Sequence, residues 1–395
     1  MSDSPPDPPP LNGCRVLDFS GLLPGPFATA ILADLGAEVT RVEAPRRPDL
    51  TRHLPPLVDG LSAAHLSLNR GKRSVAINLK HPKGVTLALE LVKGVDVLVE
   101  QFRPGVMERL GLGYEALSAL NPRLIYCSIT GYGQRGPLAH RAGHDINYLA
   151  LSGLASYGGA PSGPRLSGAQ VADIAGGSQP AVIGILAALL GRAQTGRGRH
   201  LDVSISDGAL ALNALTLSAT SLTGDSPAPR AELLNGGSWY DYYETADGRH
   251  LAVGALEPQF AAKLFELIER PELLSELAKP PGQQRALKEA LSEVFKQEPL
   301  SHWVALLGAE DCCVDPVLSL KEALEHPHFE ARGLIERRAL PTGQELAIMP
   351  SPLAQRAQEP RPLGAQLGAH SDQVLEELGL SAAEREALRA EGVIR

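Results

Sequence analysis

The chain has 395 residues, of which 44% are hydrophobic and 21% are charged. This composition is typical of a globular protein with a large core and room for two domains. Its net charge of −8 argues against nucleic acid or an anionic membrane surface as a partner, although a local Arg and Lys cluster can still bind an anion. No apolar run reaches the ~18 residues of a membrane helix, so no membrane association is expected.

The four cysteines, Cys14, Cys127, Cys312 and Cys313, show no metal-binding spacing. The adjacent pair is a poor disulfide candidate, and the pattern fits a reduced, cytoplasmic protein without a metal site. Residues 1–11 are proline-rich and acidic and lack a signal-peptide pattern, which predicts a disordered tail.

The first predicted elements form a strand–helix–strand unit. Residues 15–19 are a strand, and Pro24 begins a helix that extends through Leu35 and stops at Gly36. Residues 37–43 form the next strand. Proline in the first turn and glycine after the last are usual helix boundaries. The unit predicts a parallel sheet covered by helices.

The same pattern recurs along the chain. A helix over 81–92 precedes a strand over 95–100, and another strand follows at 123–129. A small-residue helix over 181–192 then leads to a strand over 201–205. Apolar runs with little alternation suit strands that are buried on both faces. The sequence therefore predicts the α/β class, with a large Rossmann-like parallel-sheet domain.

Composition changes after this region. Residues 222–229 are rich in Ser, Gly, Asp and Pro and predict a linker. A hairpin over 242–253, with its turn at Asp247-Gly248, precedes helices that extend to about residue 320. The last predicted element is a charged helix over 381–391. We expect a large domain over 12–215, completed by 335–395, and a small α+β domain over 230–330.

Two motifs carry candidate chemistry. The run 142–148 places His144 beside Asp145 in a loop that leads into a helix over 149–155. The run 170–177 places Asp173, 29 residues after His144, at a predicted strand-to-helix turn. An imidazole and a carboxyl suit a two-base enzyme, in which one group takes a proton from carbon and the other returns one to the opposite face. The ordinary alternatives are a solvated histidine and a helix N-cap aspartate.

These residues resemble the alpha-methylacyl-CoA racemases, a branch of the family III CoA-transferase (CaiB/BaiF) superfamily. Five blocks carry the resemblance: Leu23–Phe27, Leu68–Ser74, Phe102–Gly111, Gly143–Tyr148 and Gly254–Phe260. The Gly-His-Asp-Ile-Asn-Tyr and Leu-Glu-Pro-Gln-Phe runs are similar to the racemase branch in particular, because transferase members usually lack that histidine.

The resemblance implies an interlocked homodimer that acts on an acyl-CoA thioester, with CoA as part of the substrate and no other cofactor. It implies that His144 and Asp173 are catalytic and that Glu257, from the partner subunit, orients His144. Backbone N–H groups over 173–177 are expected to stabilise the enolate oxygen. The implied CoA-binding residues are Arg41, Asn69, Arg70, Gly71, Lys72, Arg103, Arg109, Gly143, Asp145 and Tyr148.

The leading hypothesis is a racemase that inverts the 2-methyl centre of branched acyl-CoA thioesters. The alternative is a CoA-transferase in which Asp173 is the nucleophile. Ala169-Gln170 stands where racemases tend to have Asn ahead of the aspartate, and this arrangement is similar to transferase members. Asn235-Gly236-Gly237 also departs from the racemase pattern. A third possibility is a CoA-ester binding protein that has kept the fold without catalysis.

Overall fold

A computed structural model of the chain describes residues 8–354 and 360–395. The strands in chain order are β1 (Arg15–Asp18), β2 (Glu38–Glu43), β3 (Leu57–Val58), β4 (Leu61–Ser62), β5 (Lys72–Ala76), β6 (Val97–Glu100), β7 (Ile125–Thr130), β8 (Arg199–Ser204), β9 (Asp241–Glu244), β10 (His250–Val253), β11 (Val314–Pro316), β12 (Glu336–Ala339) and β13 (Glu345–Ile348).

The helices in chain order are α1 (Pro24–Asp34), α2 (Ala63–Leu68), α3 (Pro82–Lys93), α4 (Val106–Arg109), α5 (Tyr114–Leu120), α6 (Asp145–Leu151), α7 (Leu154–Tyr157), α8 (Gln179–Thr195), α9 (Ile205–Ala211), α10 (Thr216–Thr223), α11 (Pro258–Leu267), α12 (Arg285–Phe295), α13 (Leu300–Leu307), α14 (Leu320–Leu324), α15 (Pro327–Arg332), α16 (Ser371–Glu377) and α17 (Ala382–Ala390). A π-helical segment covers Ala172–Ser178, and two 3₁₀ helices cover Leu50–His53 and Pro271–Ala278.

A six-stranded parallel sheet forms the centre of the first compact unit, in the order β5-β2-β1-β6-β7-β8. Its inner strands are buried along almost their whole length, and the core beside them includes Leu17, Leu98 and Tyr126. The predicted parallel sheet is confirmed. In chain order, β1, β2 and β5 extend the sheet towards one edge, and β6, β7 and β8 extend it towards the other. The carboxyl ends of β1 and β6 therefore flank the point where ligands usually bind in such folds.

The chain divides into two compact units. Of the described residues, the first contains 8–152, 168–212, 328–354 and 360–395, and the second contains 153–167 and 213–327. Within the second unit, β9, β10 and β11 form an antiparallel sheet, and the predicted hairpin is β9 with β10. Its core includes Trp239, Phe265 and Phe295. Residues 153–167, which the sequence analysis placed in the large domain, belong to this second unit.

Two local predictions at the catalytic motifs are wrong. The helix expected over 149–155 begins instead at Asp145 and is followed by the separate helix α7, because Gly153 takes a left-handed conformation between them. Asp173 lies inside the π-helical segment, not at a strand-to-helix turn, and that segment continues directly into α8.

The predicted tail over 1–11 is only partly open to comparison, since residues 1–7 lie outside the described residues. Leu11 is buried, and its N–H donates a hydrogen bond to the Leu35 carbonyl at 2.9 Å. This residue is therefore part of the folded unit.

Among the described residues, one helical stretch, Ala172–Thr195, is long and apolar enough in composition to cross a membrane. The sequence analysis recognised only its central residues and expected no such stretch. Length and composition fit the core helix of a globular protein equally well, and α8 packs against β7 and β8 of the sheet.

Candidate active site

His144 lies at the N-cap of α6, immediately before Asp145. Its backbone N–H donates to Oδ1 of Asn147 at 3.0 Å, which fixes the entry of the chain into the helix. The His144 residue is exposed, whereas Asp145 is half-buried. This arrangement presents the imidazole to solvent or to a ligand, while the carboxylate of Asp145 faces the protein.

The carboxylate of Asp145 connects this helix to the second motif. Its Oδ1 accepts a hydrogen bond from the backbone N–H of Asp173 at 2.9 Å. The side chain of Asp173 is close enough to His144 for the imidazole charge to affect its pKa. The structure thus brings Asp173 close to His144 and Asp145, which lie 29 and 28 positions before it in the sequence.

Burial is the main cause of a shifted pKa at Asp173. Burial and the neighbouring charge of Asp145 raise the pKa of Asp173 to about 6, and His144 opposes this increase. A carboxyl group with this pKa exchanges protons readily near neutral pH, which is the property required of an acid and base catalyst.

Close packing of glycines positions the Asp173 segment. A Cβ on Gly208 in α9 would lie 2.0 Å from the carbonyl oxygen of Gly176, and a Cβ on Gly176 would lie 2.8 Å from the Ala209 nitrogen. Such distances exclude any larger residue unless the backbone moves. Gly176 and Gly208 therefore let α9 and the π-helical segment touch through their backbones.

A buried tyrosine, Tyr148, lies close to Asp173. Tyr148 in α6 is buried, and its ring lies edge-on to Tyr132 with centroids 5.3 Å apart. A Cβ on Gly131 would lie 2.4 Å from the Tyr148 hydroxyl, and a Cβ on Gly143 would lie 2.7 Å from its ring. Because Gly131 follows β7, the site lies at the carboxyl edge of the sheet. Burial and the charge of Asp173 raise the pKa of Tyr148 to about 12.

Some of the backbone donors expected to stabilise an enolate already have protein acceptors. The Asp173 N–H is taken by Asp145, and the Ile174 N–H donates to the Gln170 carbonyl at 3.1 Å. The glycines of this segment also have a packing function. These two N–H groups are therefore not free for a substrate oxygen in this structure.

The polar side chains of the block Asn69–Lys72 have protein partners in this structure, and the predicted function of this block in CoA binding stays a prediction. The Arg70 guanidinium forms a buried ion pair with Asp34 and also donates to the Ser67 carbonyl. Nζ of Lys72 is fully buried and reaches the Asp18 carboxylate at 3.4 Å. Its other partners are the Pro26 carbonyl, Thr29 Oγ1 and the Asn69 amide oxygen.

The remaining member of this block, Gly71, also serves the fold. It takes a left-handed φ of +71°, and its N–H donates to the Pro362 carbonyl at 2.8 Å. A Cβ there would lie 2.9 Å from the Arg361 side chain. In this structure the polar groups named for these four residues therefore contact protein partners.

A cavity of about 720 Å³ opens at the carboxyl ends of β1, β2, β5 and β6. We call it the Arg41 cavity, after the predicted CoA-binding residue that lines it. Its positive charges come from Arg41, Arg46, Arg47 and Lys80. Its volume lies within the range of small-molecule sites, and its position is the ligand site of open parallel sheets.

The Arg41 guanidinium has unused donors. Arg41 is 1% exposed, and its Nε and Nη1 atoms are buried without a hydrogen-bond partner among the described residues. Buried donors of this kind are costly unless a ligand or water accepts from them. Arg41 is thus suited to an anionic group such as a phosphate.

Arg103 and Arg109 are two further predicted CoA contacts, and both are exposed. They are sequence neighbours of residues that line this cavity. Phe102, Val106 and Leu110 of the same segment line it. Arg46, Arg47 and Lys80 also line the cavity and were not predicted from the sequence. Their positions could have identified them, because they follow β2 and β5 in the sequence and the carboxyl ends of these parallel strands lie at one edge of the sheet.

Glu257 is exposed and forms the N-cap of α11 in the second unit. Its predicted function involves a partner subunit and stays a prediction. No group of three or more His, Cys, Asp or Glu residues in the described ranges is arranged to hold a metal ion.

Comparison with known proteins agrees with this geometry. The model for CoA-transferase family III matches residues 11–371. The chain belongs to this family. It is 37% identical to the alpha-methylacyl-CoA racemase of Homo sapiens over 97% of each chain. It is 38% identical to the acetyl-CoA:oxalate CoA-transferase of Acetobacter aceti, over 82% of this chain and 85% of the relative.

The fold of this family III member is also similar to a solved structure. A CaiB/BaiF family protein from Brucella suis superposes with a TM-score of 0.81 at 30% identity, covering 94% of this chain and 100% of that one. Racemases and transferases are similar to the chain to nearly the same degree. The comparisons therefore identify an enzyme of this superfamily, and the choice of reaction depends on the site.

Proposed function

We propose that the protein is an acyl-CoA racemase that inverts the carbon next to the thioester carbonyl of 2-methyl-branched substrates. The observation that carries this proposal is that Asp173 lies within electrostatic reach of His144 and has a pKa raised to about 6. A racemase alternately takes and returns a proton, and a group with a pKa near the working pH performs both steps.

In the proposed mechanism the thioester acidifies the 2-carbon because its enolate spreads charge onto oxygen. His144 removes the proton from one face, and protonated Asp173 supplies a proton to the other. In the reverse direction, ionised Asp173 is the base and the His144 imidazolium is the acid. Asp145 fixes the Asp173 backbone and keeps its pKa high enough for this exchange.

The Arg41 cavity is the proposed site for the phosphates of CoA. Arg41, Arg46, Arg47 and Lys80 give it the charge that these groups need. No metal or additional cofactor is required for this reaction, because the thioester itself stabilises the enolate. Glu257 of a second subunit is proposed to orient His144.

The second candidate is a CoA-transferase. It is supported by the similarity to the Acetobacter aceti enzyme and by Ala169-Gln170, an arrangement that is similar to transferase members. Asp173 would then attack the thioester carbonyl, forming a mixed anhydride and releasing CoA as a thiolate. This reaction needs an ionised Asp173 and gives no task to His144.

One incubation distinguishes these functions and a binding protein without catalysis. A chiral 2-methylacyl-CoA is incubated in deuterated water with and without an acceptor acid. We expect deuterium at carbon 2 and loss of optical purity without the acceptor. Acceptor-dependent transfer, with an acyl or CoA adduct on Asp173 in intact-mass spectrometry, would instead identify a transferase. No reaction in either case would leave only binding.

The His144→Ala variant tests the assigned base. We expect exchange of the 2-proton to be lost from one enantiomer by at least about 100-fold, because general-base catalysis contributes about that much. CoA-ester affinity should change little, since His144 is an exposed residue of α6. Retained exchange with both enantiomers would contradict the assignment.

We also propose a homodimer. Ile183 and Leu190 lie seven residues apart on one face of α8 and are 67% and 74% exposed. Exposed apolar helix faces of this kind usually mark an interface. A second copy of the chain is the proposed partner, in agreement with the interlocked dimers that the resemblance implies.

A further inference from the structure

A strained backbone position borders the Arg41 cavity. Leu22 has a φ of +59°, in the left-handed region that non-glycine residues rarely occupy. Its side chain is 40% exposed and therefore gains little from burial. Such a conformation persists only when neighbouring contacts hold it. The contact here is a hydrogen bond from the Leu22 N–H to Oδ2 of Asp49 at 2.9 Å.

The same carboxylate holds Arg41. Oδ2 of Asp49 accepts from Nη2 of the Arg41 guanidinium, and the Asp49 side chain is 3% exposed. Nη2 also lies 3.4 Å from the carbonyl oxygen of Ser20, in the loop that contains Leu22. One carboxylate oxygen thus joins the loop after β1 to the guanidinium on β2, and both line the cavity.

Asp49 is itself fixed by neighbouring groups. Its Oδ1 accepts from the Thr51 N–H at 2.9 Å, and its own N–H donates to Oε1 of Glu43 at 3.2 Å. The carboxylate therefore cannot rotate without losing several hydrogen bonds. It leaves Nε and Nη1 of Arg41 unpartnered within the described residues, with Nε 3.9 Å from Oε2 of Glu43.

We propose that Asp49 is a positioning residue for CoA binding, which sets the Arg41 donors and the Ser20–Leu22 loop as one rigid wall of the cavity. This inference rests on the proposed function, in which the cavity takes the phosphates of CoA. Asp49 lines the cavity, and its carboxylate is held by the Leu22 N–H and the Arg41 guanidinium, so its proposed role is to position these two residues. It therefore acts on affinity and leaves the acid–base chemistry at His144 and Asp173 unchanged.

The test uses the full chain and free CoA as the probe in isothermal titration calorimetry. Asp49→Ala removes the hydrogen bonds from Leu22 and Arg41 together with that from Thr51, and we expect the Kd to rise by about tenfold to a hundredfold, since bonds to charged groups are the strong ones. Leu22→Gly alone should change the Kd by less than about threefold. Glycine adopts a positive φ without a restraint.

The double variant gives the decisive result. Because a glycine in place of Leu22 no longer needs Asp49 to hold its backbone, Leu22→Gly in the Asp49→Ala background should restore at least about threefold of the lost affinity. A loss that simply multiplies the two single effects would overturn the proposal. So would unchanged CoA affinity in Asp49→Ala while the unmutated protein binds normally.

Controls separate this role from other causes. Asp59→Ala and Leu57→Gly alter exposed residues that do not line the cavity, and both should bind CoA like the unmutated protein. If Asp49→Ala fails to fold, Asp49→Asn keeps an acceptor for the Leu22 N–H and should show a smaller loss, rescued less by Leu22→Gly. Absence of CoA binding by the unmutated protein would contradict the proposed ligand, not the role of Asp49.

Discussion

At the scale of single residues, Asp145 contributes to the raised pKa of Asp173. Its negative charge helps to raise the pKa of Asp173 to about 6, after the larger effect of burial. Asp145→Asn keeps an oxygen that accepts from the Asp173 N–H but removes the charge, so the pKa of Asp173 should fall. Less of the protonated acid is then present at neutral pH.

We therefore expect Asp145→Asn to shift the activity that depends on protonated Asp173 to lower pH. The measurement is the pH dependence of proton exchange for each enantiomer separately. The direction in which Asp173 is the base should gain activity at low pH. Asp59→Asn, at an exposed site, is the control, and identical pH profiles for both variants would disprove the role of Asp145.

Another buried carboxyl gives a prediction for stability. Glu100 is 4% exposed, and burial raises its pKa from 4.5 to about 7, although bonds from Ser128 and the Phe102 N–H oppose this. A raised folded-state pKa means that its contribution is fully present below about pH 4.5 and is lost as pH rises through 7. Glutamine at this position carries no charge to desolvate.

The free energy of unfolding of Glu100→Gln, taken relative to that of the unmutated protein, should therefore increase as the pH is raised from 5 to 8. The gain should approach about 3 kcal/mol, at about 1.4 kcal/mol for each pKa unit. Urea denaturation at the two pH values measures it. The exposed Glu115→Gln variant should show no such trend, and an equal difference at both pH values would contradict the assignment.

At the scale of elements, the contact between α9 and the π-helical segment determines where Asp173 lies. Gly208→Ala would place a Cβ 2.0 Å from the Gly176 carbonyl, and the backbone would have to move. We expect a loss of about 1–3 kcal/mol in the free energy of unfolding and a larger loss of exchange activity, because Gly176 is three residues from Asp173.

A second glycine in a helix provides the matched control. A Cβ on Gly184 in α8 would meet only Leu201, at an ordinary 3.5 Å. Gly184→Ala should therefore stabilise the protein by about 0.5–1 kcal/mol through helix propensity, with activity retained. Urea denaturation and deuterium exchange measure both variants. Equal effects of the two substitutions would show that the backbone contact does not matter.

The elements also show what the sequence can and cannot predict. Five of the six strands of the parallel sheet were predicted, because they contain apolar runs such as Val97–Val99. The edge strand β5 was not predicted, since it begins with Lys72 and Arg73. The π-helical segment was not predicted, and its backbone packs against Gly208, which lies 32 positions beyond Gly176 in the sequence. Arg70 and Lys72 were predicted to bind CoA from the resemblance, and the sequence does not reveal that Asp34 and Asp18 form ion pairs with them inside the protein.

At the scale of the whole molecule, α8 exposes an apolar face to solvent. Ile183, Ala187 and Leu190 follow the spacing of one helix face and are all exposed, although the opposite face packs on the sheet. A second copy of the chain that covers this face would remove the apolar surface from water. At about 25 cal/mol per Å² of buried apolar area, such a contact supports a stable dimer if it is extensive.

We expect the unmutated protein to sediment as a dimer at micromolar concentration in analytical ultracentrifugation. Leu190→Glu places a charge in the proposed interface and should weaken association by at least about tenfold, since an unpaired charge there must be desolvated. Ala116→Glu adds the same charge at an exposed position of α5, outside this face of α8, and should change association less. A monomeric unmutated protein would contradict the dimer, and equal effects of the two variants would place the interface elsewhere on the molecule.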